Sequence, residues 1–296
     1  MRVFVTGATG FIGSAVVPEL INAGHQVLGL ARSDAGAKSV TSAGATVHRG
    51  ELGDLDSLRR GAAASDAVIH TAFIHDFSKF QENSEIDKRA IEALGAALAE
   101  SERPLIVSAG IPPWTPGRLM TEEAPSPGHS VMPRVSEETA LALVPRGVKA
   151  AVVRLPQVHD TVKQGLVTYL IAIAREKGIS AYVGEGLNRW PAAHVSDVAR
   201  LYRLALEQHE AGARYHAVGE EGVPLRDIAT AIGRGLKVPV VSISPEESAA
   251  HFGFFGLFAG LDVAASSALT QKRLGWRPTG AGLLSDLDQM QYQTGR

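Results

Sequence analysis

The sequence predicts an α/β fold, a doubly wound parallel sheet with a smaller C-terminal substrate lobe, and three observations carry that prediction. In the first half, short Val- and Ile-rich runs alternate with longer helical patterns, as strands joined by helical crossovers require. The first run is tied to the first helical pattern by three glycines spaced by three. A proline-rich break beginning near residue 111 then opens a second half dominated by helical patterns.

Strands are predicted at Arg2 to Val5, Gln26 to Leu30, Thr46 to His48, Ala67 to His70, Leu105 to Val107 and Ala150 to Leu155. Right-handed crossovers between consecutive runs make the sheet parallel. Ala15, Val16 and Leu20 give the first helix an apolar face, and Pro18 inside it costs a hydrogen bond and predicts a bend. Leu55 to Ala62 and a long segment from about Ser84 to Glu100 are helical; in the latter, Ile86, Ile91, Leu94 and Leu98 approximate one apolar face. From Ile111 to Pro133, six prolines exclude regular structure and predict a loop over the strand ends. Leu166 to Glu176 and Val198 to Leu206 are helical beyond it. The predicted division is 1–155 for a nucleotide-binding unit and 156–296 mainly for a substrate lobe, with segments returning to the first sheet.

The glycine-spaced turn has a physical reading. Gly7 permits the tight exit from the strand, Gly10 lets backbone approach a pyrophosphate, and Gly13 lets the new helix lie against the sheet. Thr9, Phe11 and Ile12 belong to the same turn, and the helix start offers free N–H groups and a positive dipole end to phosphates. With the second strand following, the whole is a βαβ unit of normal length.

The octapeptide TGATGFIG resembles the cofactor loop of the short-chain dehydrogenases/reductases, of the extended, epimerase-like kind. VIHTAF (Val68 to Phe73) is similar to that family's fourth-strand segment, and VVRLP (Val152 to Pro156) to its sixth. AHVSDVARLYRLALE and LTQKRLGWRP are similar to its later signatures. The resemblance implies a Rossmann fold, a nicotinamide dinucleotide cofactor, and a homodimer joined through the helix at Ser84 to Glu100 and one starting near Ser136.

Composition narrows the classes further. Twenty-nine basic and thirty-one acidic residues give a net charge of −2 without long runs of either sign, which leaves no electrostatic footprint for nucleic acid. The absence of cysteine excludes a thiol nucleophile, a disulfide framework and thiolate metal sites. Ten histidines without metal-ligand spacing predict no metal. No apolar stretch reaches the roughly 18 residues of a membrane helix, and the chain enters a strand without a leader, so a soluble, cytoplasmic protein is expected.

Cofactor choice falls at the end of the second strand, in LGLARSD. Ala31 stands where NAD-preferring relatives place a carboxylate, and Arg32 and Ser33 offer a guanidinium and a hydroxyl to a 2′-phosphate, so NADP(H) is expected. The alternative is a solvated Arg32, with Asp34 on the ribose. On the resemblance, Glu51 and Leu52 contact the adenine, while Thr71, Ala72 and Phe73 run along the ribose and nicotinamide side. Pro156 and Gln157 meet the nicotinamide amide on the same ground.

The family's proton relay, a tyrosine with a lysine four positions on, is absent. Tyr169, Tyr182, Tyr202 and Tyr215 are followed at that spacing by Ile173, Gly186, Leu206 and Gly219, and Tyr292 by Arg296. In MPRVSEETALAL, the register of Ser136 puts Pro133 in the tyrosine slot and Glu137 in the lysine slot. Alternative donors are Ser108 after strand five, unless the register puts Ala109 there, and His75, His129 and His159 near strand ends. Asp76 either orients His75 or is an ordinary loop aspartate. His70 and His194 read as packing residues.

The tract HFGFFGLFAGLD (His251 to Asp262) caps a pocket for a bulky apolar carbonyl, or is a buried or dimer contact; Trp114 and Trp190 carry the same two readings. The expected activity is NADPH-dependent reduction of a ketone or aldehyde. The alternatives are a noncatalytic NADP(H)-responsive regulator and a sugar-nucleotide epimerase or dehydratase.

Overall fold

The computed structural model describes residues 1–113, 115, 117–126 and 133–292. His129 and Trp114, both singled out from the sequence, lie outside the described residues.

The first half alternates as expected: β1 (Arg2–Thr6), α1 (Gly13–Asn22), β2 (Gln26–Ala31), α2 (Asp34–Ser42), β3 (Thr46–Arg49), α3 (Leu55–Ala63), β4 (Ala67–His70), α4 (Phe80–Leu98), β5 (Pro104–Gly110), α5 (Ser136–Ala142) and β6 (Lys149–Leu155). The second half adds β7 (Gln157–His159), α6 (Val167–Lys177), β8 (Ser180–Val183), β9 (Arg189–His194), α7 (Val195–Glu207), β10 (Arg214–His216), β11 (Glu220–Pro224), α8 (Leu225–Leu236) and β12 (Val240–Ile243). Four short helices follow: α9 (Ser248–Phe252), α10 (Gly256–Ala259), α11 (Ala268–Leu274) and α12 (Leu283–Gln289).

Seven strands form one parallel sheet in the order β10-β6-β5-β4-β1-β2-β3. The order reverses between β1 and β4, and a ligand crevice opens at the carboxyl ends of strands at such a switch point. β10 and α7 come from beyond residue 156 yet pack on this sheet.

Strand alternation builds the core on both faces. Val3, Val5, Ile69 and Val153 pack one way, against Val16, Leu20 and Tyr202 of α1 and α7. Phe4, Val68, Leu105 and Val152 pack the other way, against Leu58 of α3 and Leu94 of α4. A separate core around Trp190, Val223, Ile228 and Phe255 holds the second-half elements together.

Two local expectations are corrected. α4 begins at Phe80 rather than near Ser84, because a 3-10 turn at Phe77–Lys79 leads into it. Asp76 caps that turn, its carboxylate accepting from the Ser78 N–H at 3.1 Å and the Ser78 hydroxyl at 2.6 Å. Both bonds use one carboxylate oxygen, Oδ1. Pro18 sits inside α1, which continues to Asn22 as one element. The carbonyl it deprives, that of Ser14, lies in the exposed first turn of the helix.

Among the described residues, no helix is long and apolar enough to cross a membrane, and no group of acidic and histidine side chains has the geometry of a metal site.

Candidate functional site

A cavity of about 1100 Å³ opens at the carboxyl ends of the sheet strands. One end is made by the turn between β1 and α1. Gly7 takes a left-handed conformation (φ +70°), and a Cβ there would lie 2.7 Å from the Ala72 nitrogen. A Cβ on Gly13 would lie 2.0 Å from the Gly7 carbonyl oxygen, so only glycine lets α1 start this close to the strand end. Gly7, Thr9, Gly10, Phe11, Ile12 and Gly13 all line the cavity. At the start of α1 the Ser14 N–H donates to the Gly10 carbonyl at 2.9 Å and the Ala15 N–H to the Ile12 carbonyl at 3.0 Å, and this end carries the positive pole of the helix dipole.

Along the same wall stand Arg32, Glu51 and Leu52, and next to them Thr71, Ala72 and Phe73 after β4, then Pro156 and Gln157 after β6. Arg32 is exposed and pairs with no carboxylate among the described residues. Asp34, the acid weighed above for a ribose, bonds Arg49 at 2.5 Å on the surface and does not line the cavity. Ser33 is corrected: its hydroxyl accepts from the Gly36 N–H at 3.1 Å and caps α2, and it does not reach the cavity. The glycine cradle across the switch point fits a dinucleotide.

The opposite end is apolar. Phe77, Phe80, Tyr169, Trp190 and Phe258 line it. Phe77 is the hub, edge-on to Tyr169 (5.3 Å between ring centres) and stacked on Phe254 (5.7 Å). The tract around Phe254 and Phe258 thereby closes this end, and Trp190 packs edge-on to Phe255 at 6.0 Å.

Of the expected proton donors, His75 lines the cavity. Its ring packs edge-on to Phe73 (5.2 Å) and Phe77 (6.2 Å), with one side open to solvent. Burial among these rings and the positive charge of Arg134 hold its pKa below the ordinary histidine value of 6.5. Ser108 is corrected: it is buried with its hydroxyl turned away from the cavity, donating to the His70 carbonyl at 2.7 Å and sharing a 2.6 Å bond with the Tyr202 hydroxyl. Ala109 lines the cavity instead, the opposite face of the strand. His159 is also corrected. It is fully buried outside the cavity wall, bonded through Nδ1 to Asp286 at 2.7 Å, and burial keeps its pKa low despite that carboxylate.

Two cations in the wall were not singled out from the sequence. Lys163, in the loop after β7, has its ammonium 6.0 Å from the Phe11 ring centre, beside the glycine turn. Arg134, just before α5, lies with its guanidinium carbon 4.1 Å over the Phe73 ring. Its Nε donates to the Ser136 hydroxyl at 2.8 Å and its Nη2 to the Ser108 carbonyl at 3.0 Å. Behind it, Ser136 donates to Asp87 at 2.5 Å, Asp87 accepts from His70 at 3.0 Å, and His70 Nδ1 lies 2.8 Å from the Thr6 hydroxyl. Burial alone would raise the Asp87 carboxyl, but His70, Arg134 and Ser136 together hold it below the usual range, so it stays ionised.

Glu137, in the slot that the resemblance assigns to a lysine, accepts three 2.6 Å bonds, two from Arg154 and one from Arg214. Its charge is spent on holding α5 to β6 and β10.

The NAD dependent epimerase/dehydratase family model matches residues 3–219. An uncharacterized protein of Schizosaccharomyces pombe is 48% identical, covering 99% of this chain and 100% of its own length. A 4-hydroxy-2-methyl-3-oxo-4-farnesyl-3,4-dihydroquinoline-1-oxide ketoreductase of Stigmatella aurantiaca is 26% identical over 86% of this chain and 80% of that protein. Among solved structures, the UDP-glucose 4-epimerase of Thermus thermophilus with NAD superposes with a TM-score of 0.75 at 20% identity, over 99% of each chain, which establishes a common fold. The chain belongs to the NAD dependent epimerase/dehydratase family.

Proposed function

We propose that the protein is an NADPH-dependent reductase of bulky apolar ketones or aldehydes. The observation that carries this reading is the single cavity with a glycine cradle at one end and aromatic walls at the other. The chemistry a nicotinamide supplies when bound is a hydride, which adds to the carbonyl carbon while the carbonyl oxygen takes a proton, giving an alcohol. The chain's part is to hold the dinucleotide at Gly7 to Gly13 and Arg32, to seat the apolar body against Phe77, Tyr169 and Trp190, and to deliver the proton from His75. The Stigmatella relative, named a ketoreductase for a farnesylated quinoline, supports the substrate class.

A sugar-nucleotide epimerase or dehydratase is supported less, because the wall facing the glycine turn is aromatic and Glu137 is tied to two arginines. A noncatalytic NADP(H) sensor is the outcome if the dinucleotide binds without turnover. The reading includes a cytoplasmic homodimer built through α4 and α5, testable by light scattering. The deciding experiment follows NADPH consumption with a panel of aryl ketones, aldehydes and diketones. Turnover that grows as pH falls through a value below 6.5, and loses that dependence in His75→Gln, is the expected result, since only the imidazolium donates readily. Tight NADPH binding with no turnover on any of them rejects the reductase.

A further inference from the structure

Resting on the reductase reading, we propose that Arg134 recognises an anion, and that the preferred substrates are apolar carbonyl compounds that carry a carboxylate.

The starting point is the state of the guanidinium. Among the described residues, two of its five N–H groups are satisfied, by Ser136 and by the Ser108 carbonyl, both neutral partners. No carboxylate touches it among the described residues. The nearest acid in its network, Asp87, stands one side chain away, and both of its oxygens are already used, Oδ1 by His70 and Oδ2 by Ser136. The flat face of the guanidinium lies on Phe73, so its remaining N–H groups spread in the plane, and Arg134 is part of the cavity wall. The charge of Asp87 reaches this guanidinium only through Ser136, without a direct contact, and a bidentate carboxylate is the partner its remaining fork matches best.

The surroundings define the rest of the ligand. Phe73 joins Arg134 to His75 through direct ring contacts. The proposed proton donor and the anion site therefore flank one aromatic ring, and a carboxylate on Arg134 leaves a neighbouring carbonyl within the span of His75. Beyond them Phe77, Phe80 and Phe258 offer only apolar surface to the remainder of the molecule. The Asp87, His70 and Thr6 chain fixes the guanidinium from behind, so Asp87 and Ser136 are positioning residues.

A matched pair tests this: 2-oxo-4-phenylbutanoate and its ethyl ester share the carbonyl and the apolar body and differ in charge. With the wild-type protein, kcat/KM for the acid is expected to exceed that for the ester by about 10- to 100-fold, the range of a hydrogen-bonded charge contact. Arg134→Met removes that preference, lowering kcat/KM for the acid by about that factor more than for the ester, and Arg134→Lys restores part of it. Calorimetry on the NADP+-loaded wild-type protein gives the same ranking without turnover and without a variant that has to fold. Equal binding and equal kcat/KM for acid and ester in the wild type overturn the proposal, as does binding of neither. An equal loss for both substrates in Arg134→Met, or weaker NADPH binding in that variant, assigns Arg134 to the carbonyl or the cofactor and also overturns it. Failure of NADPH to bind the wild-type protein at all overturns the reductase reading itself. Reduction of the ester without preference for the acid overturns only the anion site.

Discussion

At the glycine-turn end of the cavity, the wall comes from Gly7 to Gly13, a single stretch of chain, with Arg32 one strand further on. Behind the wall at Phe73 and Arg134 lies a buried polar platform, gathered from Thr6, His70, Asp87, Ser108, Arg134 and Ser136, on β1, β4, α4, β5 and the start of α5. The first is a backbone device. Its function depends on where Cβ atoms are missing and where N–H groups point, properties a short run of residue types dictates. The second is a side-chain device, and its chemistry exists only after the sheet and both neighbouring helices have packed. The glycine turn should therefore fail locally, and the platform should fail together with the fold.

The largest effect expected is at the platform's structural edge. Glu137 neutralises Arg154, a fully buried cation, so Glu137→Ala leaves that charge uncompensated and should cost about 3–5 kcal/mol of stability, measured by urea unfolding. A loss below about 1 kcal/mol breaks the contrast, because the platform would then be separable from the fold. Acid unfolding sharpens it. Burial keeps His216 neutral in the folded protein, down to about 4, so stability falls as pH drops below 6.5, where the unfolded chain takes up the proton first. Burial pushes the Glu137 carboxyl up, but Arg154 and Arg214 hold it below its ordinary 4.5, so its contribution is present above that value and disappears only at still lower pH.

Next in size is Gly13→Ala. The added methyl would meet the Gly7 carbonyl at 2.0 Å, so α1 must shift away from the strand end. A cost of about 1–3 kcal/mol is expected from such overpacking, with NADPH binding lost in calorimetry although the protein remains folded. Retained NADPH affinity would mean that the turn is not what positions the dinucleotide, and the division between turn and platform would no longer hold.

The same division explains what the sequence made legible. Strand and helix positions in the first half follow from short-range periodicity, and the glycine spacing from the steric demand of one turn. Ser108 was misplaced because successive strand residues face opposite ways, so one step of register exchanges it with Ala109. His159 has a different cause: Gln157 and Val158 line the cavity, but the histidine is buried beyond the wall against Asp286, a partner far along the chain. Ser33 has the residue type that suits a phosphate and that also suits a helix N-cap, and the start of α2 takes its hydroxyl. Arg134 carries no local signal. It ends a proline-rich stretch, and its partners at Ser108, Ser136 and Phe73 are known only from the folded chain.

The smallest effect expected separates the two pyridine cofactors. Arg32 stands at the wall beyond β2, while Asp34 is bound to Arg49 and Ser33 to the α2 backbone, so a 2′-phosphate at this edge has Arg32 as its charged partner among these three residues. Arg32→Ala should weaken NADPH by about 10- to 100-fold, the worth of one charge-assisted contact, and leave NADH within about twofold. Because Arg32 is exposed, the penalty should shrink as salt is raised, unlike that of Glu137→Ala, whose ion pairs are buried and poorly screened. Equal losses for both cofactors would instead mean that Arg32 acts through the shape of the β2 end. The charge reading at the glycine-turn end would then fail, and the backbone alone would account for binding there.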